Sequence, residues 1–576
     1  LEKVLDSCSG ADGAQDEIMQ ALGEERGRTR NDSNRIPWLN SMAILEKLPV
    51  ALVFGAVLGL NSPGFDVWWL GWVGLAPLFI LIFGCNSVLD AVLVGLSFGF
   101  SYHLVCHRWI LDLYPLTVFQ IHDVFAVLAV WLVWFVESVH QASLFGFLAF
   151  MAFALPLRSG LLPHFKKPFF PFILSIPLVY IFLQWTVAPS EPFLGVPVNQ
   201  LAYSQTAVLP LMQMCSLGGC QLLEFIMLSV NCALAVLVME LLPQFIKLIP
   251  GRVDRLYPKT GAVLDLFVIV AIVLAVFVWG EWRLRKLTEF PPYQVAPDAK
   301  IFAPPVPVAV LQGNIPVRPD ALEQFSKKER LDKYTELSQN LGVAMFIVPE
   351  AVLRLQEPEG KLLFSRLAGV CHFQRKEALV GSFEMLKNSL VDVIRLIDAT
   401  GTSNSIYVKT RLLPFVESVP FAALTKVVPE NLLGLLPSSK NNFFFSPTPF
   451  LLKSAWGNVG TSVSFELVYP ELIASEVNNG ASLLVNVSDL SWFHNNVLSK
   501  QLLAAAVSRA VENGRYLVLA SNTGISAVVN PLGVVTSNSL MGQSGNLIDR
   551  VQFLSNRTHY NRMWWLWRPS YRLWWH

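Results

Sequence analysis

The chain has 576 residues, of which 53% are hydrophobic and only 15% charged, with a mean hydropathy of +0.47. A soluble domain carries about 25% charged residues, so this deficit excludes a wholly water-exposed chain and points to lipid. The formal net charge of +1 gives no electrostatic footprint for a nucleic-acid partner.

Residues 1–44 are polar and charged and are expected to form a disordered tail. They hold no apolar run of the kind a signal peptide needs. The first residue is Leu1, so the natural start is expected to lie upstream. Cys8 has no apolar run before it and is not read as a lipid-attachment site. The seven cysteines lie mostly in apolar segments, as small core hydrophobes do. Cys215 and Cys220 would pair only if they faced an oxidising compartment, and simple packing is the plainer reading.

Residues 45–282 hold apolar runs of bilayer-spanning length, about 20 residues each. They predict about seven spans, near 46–61, 66–84, 88–110, 123–155, 168–188, 217–242 and 262–281. The 123–155 run is too long for one straight span. It is either one tilted helix or a helix with a re-entrant turn. Arg26, Arg28, Arg30 and Arg35 precede the first span, Arg158, Lys166 and Lys167 follow the fourth, and Lys247, Arg252, Arg255 and Lys259 follow the sixth. These loops share one side if the spans alternate, and the positive-inside rule makes that side the cytoplasm. An odd span count then exports the rest of the chain; Arg283, Arg285 and Lys286 argue the other way but are outnumbered. His103, Cys106 and His107 have metal-like spacing but read as an interfacial polar cluster beside Trp109, and no metal or cofactor is expected. Glu224 is costly in an apolar run; a place near a helix end is preferred to one lining an inner cavity.

Pro291, Pro292, Pro304 and Pro305 mark a linker over 283–305. From 306 to 555 strand-like and helical patterns alternate. Strands are predicted at Val306–Leu311, Ala344–Val348, Ala378–Gly381, Ser405–Val408, Thr461–Phe465, Ser482–Val487, Tyr516–Ala520 and Ile525–Asn530, with a helix at Asn496–Glu512. This is a layered α/β domain large enough for its own core. Residues 556–576, dense in Trp and Arg, read as an interfacial anchor or a frayed end.

Three residues in this half carry candidate chemistry. Glu350 ends the apolar run Phe346-Ile347-Val348-Pro349, Lys409 lies in Tyr407-Val408-Lys409-Thr410-Arg411, and Ser464 lies in Ser462-Val463-Ser464-Phe465-Glu466. A carboxylate can take a nucleophile's proton, and an ammonium can stabilise the oxyanion of a tetrahedral intermediate. Any one of them alone is unremarkable; the order and the flanks of all three make the case.

Those motifs resemble the apolipoprotein N-acyltransferase family, whose exported domain is similar to nitrilases and other carbon-nitrogen hydrolases. The likeness includes Val308-Ala309-Val310-Leu311-Gln312-Gly313-Asn314-Ile315, Val348-Pro349-Glu350, and Lys409 followed by Leu413-Pro414-Phe415 and Glu417. It continues through Ser464-Phe465-Glu466, Arg509-Ala510 with Glu512 and Arg515, and Ser521-Asn522-Thr523-Gly524-Ile525-Ser526. In the membrane half it includes Leu201-Ala202-Tyr203-Ser204-Gln205. The chain departs from the family pattern at four places. Ser464 stands where the family has Cys, Asp489-Leu490-Ser491-Trp492-Phe493 matches only in part, Gln184-Trp185 replaces Glu-Trp, and no final span is recognisable.

The resemblance implies a polytopic α-helical membrane domain followed by an αββα sandwich. It implies two-step acyl transfer from a phospholipid to the N-terminal diacylglyceryl-cysteine of an apolipoprotein. Glu350 would be the general base, Lys409 the oxyanion stabiliser and Ser464 the nucleophile, with Glu417 and Glu466 in support. It further implies a monomer in the bacterial inner membrane with the catalytic domain on the periplasmic side, no cofactor and no nucleic acid. A serine hydroxyl is a far weaker acid than a thiol, so turnover is expected to be reduced. Cys371 falls in a helical pattern between the Glu and Lys motifs and is no substitute. The alternatives are a catalytically inactive lipid- or lipoprotein-binding homologue and a membrane-tethered amidase.

Overall fold

The computed structural model describes residues 44–116, 123–155, 157–158, 170–186, 200–241, 259–289, 304–315, 327–386, 389–412, 417, 444–446 and 448–563. The N-terminal tail, the Trp-rich C-terminal tail from 564, the Leu413–Phe415 motif and most of the expected linker lie outside them.

The apolar runs fold as helices α1 (Ile44–Gly59), α2 (Leu70–Val73), α3 (Ala76–Phe83), α4 (Val88–Cys106), α5 (Asp123–Ala154), α6 (Phe172–Thr186), α7 (Cys215–Leu241) and α8 (Lys259–Glu289). Four of these, α4, α5, α7 and α8, are long and apolar enough to cross a membrane. The other three expected spans are shorter. The run at 66–84 is split into α2 and α3, and the helices α1 and α6 have 16 and 15 residues. The 123–155 run is one continuous helix of 32 residues, which settles the choice between a tilted helix and a re-entrant turn. Large side chains such as Phe125, Trp131, Phe267 and Val278 stand exposed on α5 and α8, the arrangement of a lipid-facing surface. Helix α7 breaks at Gly218 and Gly219, the latter at φ 74, a conformation that favours glycine.

Glu224 lies near a helix end, in the first turns of the segment that begins after the Gly218–Gly219 break. It is fully buried beyond the α7 kink, where its carboxylate accepts the Ala202 amide at 3.2 Å. Cys215 and Cys220 are free buried thiols with their sulfurs 3.8 Å apart. His103 and His107 stack at 5.2 Å, with Trp109 at 6.2 Å from His107.

Past the membrane helices the chain forms two six-stranded sheets. The first takes β1 (Val306–Gln312), β2 (Met345–Arg354), β3 (Glu377–Leu386), β4 (Ser389–Ile397), β5 (Ser405–Val408) and β12 (Gly545–Val551), in the order β12-β1-β2-β3-β4-β5. The second takes β6 (Leu452–Ser454), β7 (Gly457–Val463), β8 (Leu483–Ser488), β9 (Leu517–Ser521), β10 (Ala527–Val529) and β11 (Val535–Asn538), in the order β11-β10-β9-β8-β7-β6. The central pairs β1–β2, β2–β3, β7–β8 and β8–β9 are parallel. Parallel strands must be covered on both faces, and their near-continuous Val, Ile and Leu runs meet that demand.

Val308, Val310, Ile347 and Leu379 of the first sheet pack against Val459, Val463, Val485 and Val518 of the second. Helices α9 (Lys327–Ser338) and α10 (Pro358–Gln374) cover the outer face of the first sheet through Leu331, Tyr334, Leu363 and Leu367. Helices α11 (Pro470–Asn478) and α12 (Val497–Asn513) cover the second sheet. Their apolar residues belong to one continuous core with the membrane helices. The fold is therefore an αββα sandwich, one of whose helical layers is shared with the membrane bundle.

Each expected strand is present, with one difference at a functional end. The strand expected to run through Phe465 stops at Val463, because Ser464 turns out of it at φ 53. Sequence reading missed β4, which lies between β3 and β5, and the strands β6, β11 and β12. Helix α8 continues to Glu289, into the expected linker.

Candidate active site

Glu350 sits on an irregularity of β2. The β2–β3 register runs to Val348 opposite Val380 and resumes only at Leu353 opposite Ser382. Inside the bulge Ala351 takes φ 62, a strained value for a residue with a Cβ. Bulges of this kind re-aim a side chain beside a site. Gly381 on β3 makes the close approach possible: a Cβ there would meet the Pro349 carbonyl oxygen at 2.6 Å and the Glu350 Cα at 2.7 Å.

The bulge points Glu350 at Lys409, whose Nζ lies 3.7 Å from Oε1. The same ammonium lies 2.7 Å from Glu417 Oε1 and 3.4 Å from Asp392 Oδ2. All four side chains are at least nine-tenths buried. Lys409 leaves the end of β5, and its amide donates to the Asp392 carbonyl at 3.0 Å. Burial works against the lysine's charge, but Glu417, Asp392 and Glu350 together outweigh it and hold the group well above the ordinary lysine range. Burial, then the facing Asp392, pushes the Glu350 carboxyl up. Burial also raises Asp392, to about 6, against the pull of Lys409.

Ser464 opens the tight turn after β7 and is largely buried. Two sets of hydrogen bonds join this turn to the Glu350–Lys409 pair. On one side Glu466 Oε1 accepts from Thr410 Oγ1 at 2.8 Å and from the Arg411 amide at 2.9 Å, immediately after Lys409. Its Oε2 accepts from the Val463 amide at 2.7 Å and the Tyr407 hydroxyl at 2.9 Å. On the other side the Asn486 side chain donates to the Ser464 carbonyl at 3.1 Å. Three residues on, past the end of β8, the Asp489 amide donates to Glu350 Oε2 at 2.9 Å. The β2 bulge and the end of β5 thus bring Glu350, Lys409 and Glu417 together, and Glu466 and Asn486 tie the Ser464 turn to the segments around them.

Sequence reading missed Asp392. Its strand was not predicted, and an Asp inside Leu390-Val391-Asp392-Val393-Ile394 has no flanking motif to mark it. The other motif residues serve as ties. The Asn522 side chain donates to Asp489 Oδ1 at 3.1 Å, and its carbonyl oxygen accepts from the Tyr334 hydroxyl at 3.1 Å and the Ile315 amide at 3.2 Å. Gln312 Oε1 accepts from Ser526 Oγ at 2.6 Å.

The serine turn and the segment after β8 border the membrane half. Trp109, just past the end of α4, lies 6.0 Å from Phe465 and 5.4 Å from Phe493. Asp112 accepts the Asn495 amide at 3.0 Å. Deeper in, Arg509 of α12 pairs with Glu512 at 3.1 Å beside Tyr203, and Glu512 accepts the Cys220 amide at 2.9 Å. The Leu201–Gln205 motif therefore supports the joint between the two halves, with Gln205 also accepting from the Trp72 indole at 2.9 Å. Among the described residues, no group of three or more His, Cys, Asp or Glu side chains is arranged to hold a metal ion.

Two family models match the chain. The apolipoprotein N-acyltransferase N-terminal domain matches residues 54–233, and carbon-nitrogen hydrolase matches residues 307–552. The chain is 26% identical over 529 residues to the apolipoprotein N-acyltransferase of Geobacter metallireducens, covering 89% of this chain and 91% of that one. It is 26% identical over 510 residues to the apolipoprotein N-acyltransferase of Gloeobacter violaceus, covering 88% of each. Among solved structures it is similar to an amidase from Nesterenkonia sp., at 18% identity and a TM-score of 0.33, covering 45% of this chain and 92% of that chain.

Proposed function

The chain belongs to the apolipoprotein N-acyltransferase family, with a carbon-nitrogen hydrolase domain behind a membrane domain, and from that premise we propose that it N-acylates the diacylglyceryl-cysteine of apolipoproteins, the last step of lipoprotein maturation. The acyl donor in this reading is a membrane phospholipid. The protein is a bacterial inner-membrane enzyme with its catalytic domain on the periplasmic side, in keeping with the charge of the loops at 26–35, 158–167 and 247–259.

In the first step Ser464 Oγ attacks an ester carbonyl carbon of the phospholipid, and Glu350 takes the hydroxyl proton. The oxyanion that forms is stabilised by Lys409, which Glu417 and Asp392 hold charged. The ester C–O bond then breaks, and the departing lysophospholipid oxygen takes the proton back from Glu350. In the second step the free α-amine of the acceptor attacks the acyl-enzyme, its proton passes through Glu350, and Ser464 Oγ is released protonated. Glu466 holds the serine turn against the lysine loop.

The observation that carries this reading is the buried Glu350–Lys409–Glu417 constellation beside a turn that begins at Ser464. A retained lipid-binding role alone gives no reason to hold a lysine among three buried carboxylates, an arrangement costly to keep. The aromatic contact of Trp109 with Phe465 and Phe493 favours a lipid substrate over a small soluble amide. The test is transfer of a labelled acyl chain from phospholipid to a synthetic diacylated lipopeptide by the purified protein in lipid nanodiscs. Transfer that disappears in Glu350→Gln supports the reading. Binding of both lipids with no transfer, in the native chain and in Ser464→Cys alike, refutes it.

A further inference from the structure

We propose that the cleft between the start of α9 and the join of β2 to α10 is a binding site for a phosphate group, held by Arg330 and Arg354. It stands apart from the acyl-transfer reading, because none of its residues takes part in that reaction.

Lys327 and Arg330 of α9 line this cleft, with Arg354 at the end of β2 and Glu357, Glu359 and Gly360 at the start of α10. The strand runs into the helix by a tight join. The Arg354 carbonyl accepts the Glu357 amide at 2.9 Å, and a Cβ on Gly360 would collide with the same carbonyl oxygen. The join sets the first turn of α10, a helix of 17 residues with a proline at its start, beside Arg354. Amides of a first helical turn have no partner within the helix, and the helix dipole favours an anion there.

The charged groups of the cleft do not satisfy one another. Arg330 is more than nine-tenths buried, and among the described residues its Nε has no hydrogen-bond partner. Arg354 Nε is buried without one as well. Neither arginine forms an ion pair among the described residues. A buried cation without a partner is costly. The nearby carboxylates do not supply one. Glu357 lies 3.6 Å from Lys327 Nζ, and Glu359 Oε2 is itself buried with no donor. Three cations against two carboxylates leave the lining with one positive charge in excess.

These unmatched groups define the ligand. Two guanidiniums suit an oxyanion with several acceptor oxygens, which forked N–H groups take in pairs. The Glu359 oxygen asks the same ligand for a donor. A phosphate group that carries or adjoins a hydroxyl meets both demands, either as hydrogen phosphate or as the phosphodiester of a glycerol headgroup. A carboxylate ligand offers two oxygens and no hydroxyl, and would leave part of the set unmatched.

The test is thermal unfolding of the full chain in a maltoside detergent and phosphate-free buffer. One arm adds inorganic phosphate, against chloride at equal ionic strength; the other adds short-chain phosphatidylglycerol, against diacylglycerol of the same chains. At least one probe should raise the melting temperature by about 2 °C or more, and Arg330→Met and Arg354→Met should each lose that rise. Neither substitution removes an internal partner, so both variants are expected to fold. A rise with phosphate assigns the site to the free ion, and a rise with phosphatidylglycerol alone assigns it to a lipid headgroup. No rise with either probe, or a rise that either variant keeps, overturns the site. A second measurement needs no variant. In the native chain the effective probe should slow amide hydrogen exchange over Lys327–Ser338 and the first turn of α10, and exchange there that the probe leaves unchanged overturns the site too.

Discussion

Glu466 receives the Thr410 hydroxyl at 2.8 Å, and through that contact the turn that begins with Ser464 is fixed to the loop that carries Lys409. The same carboxylate takes the backbone amides of Val463 and Arg411. In Glu466→Gln one oxygen that faces only donors becomes a donor itself. A loss of about 3 kcal/mol is expected from the buried charge-assisted bonds, with acyl transfer reduced by roughly 100-fold or more because nucleophile and oxyanion stabiliser lose register. Denaturant unfolding and transfer rates measured on one preparation check both effects. Full activity in the variant would remove the role given to Glu466.

Gly381 tests the bulge. A Cβ at this position would collide with the backbone at Pro349 and Glu350, so Gly381→Ala should displace the base without replacing any of the residues of the proposed mechanism. Overpacking of this kind costs about 1–3 kcal/mol. The displacement should lower acyl transfer by roughly 10-fold or more. A variant with native rates and native melting would show that the close approach is not what aims Glu350.

Lys409 has both a structural and a chemical part in the proposed reaction. Lys409→Met leaves Glu350, Asp392 and Glu417 without a counter-charge in a buried space. Breaking a buried ion pair costs about 3–5 kcal/mol, and loss of an oxyanion stabiliser costs roughly 100- to 1000-fold in rate. Lowering the pH should recover part of the stability, since protonated carboxyls no longer need the ammonium, but none of the rate. Recovery of rate at low pH would contradict the oxyanion role.

Glu476 gives a pH signature away from the chemistry. It is fully buried under β7, with one oxygen on the Thr461 amide at 3.2 Å and the other unpartnered. Burial, then the nearby Glu466, raises its carboxyl well above the ordinary range. The folded protein therefore keeps a proton that the unfolded chain releases. This group's contribution is full below the ordinary carboxylate value and is lost as pH rises from there through the folded value. The neutral, similarly shaped Glu476→Gln should lose less stability than the native chain between about pH 5 and about pH 8. Parallel pH–stability curves for the two proteins would contradict the assignment.

The parts of the fold that could be read from sequence are those where one local pattern decides. Apolar runs such as Val306–Leu311 and Leu483–Val487 are strands in the parallel-paired centres of mixed sheets, buried on both faces. The motif flanks of Glu350, Lys409 and Ser464 marked the candidate site. What escaped depends on distant partners. Strand β4 mixes Asp392 and Arg395 into its apolar pattern, and those charges make sense only beside Lys409 and Glu384. Edge strand β12 reads as polar because only alternate residues meet the core. The break between α2 and α3 is fixed by packing across the bundle, where Asn231 accepts the Leu75 and Ala76 amides. The hydropathy of either segment carries no trace of that partner.

The most direct test is intact-protein mass spectrometry after incubation with phospholipid and without acceptor, followed by peptide mapping. The account predicts one added fatty-acyl mass on the peptide that contains Ser464, lost when the diacylated lipopeptide is added and absent from Lys409→Met. An acyl group on any other residue, or a Ser464 peptide that stays unmodified while transfer proceeds, would contradict it.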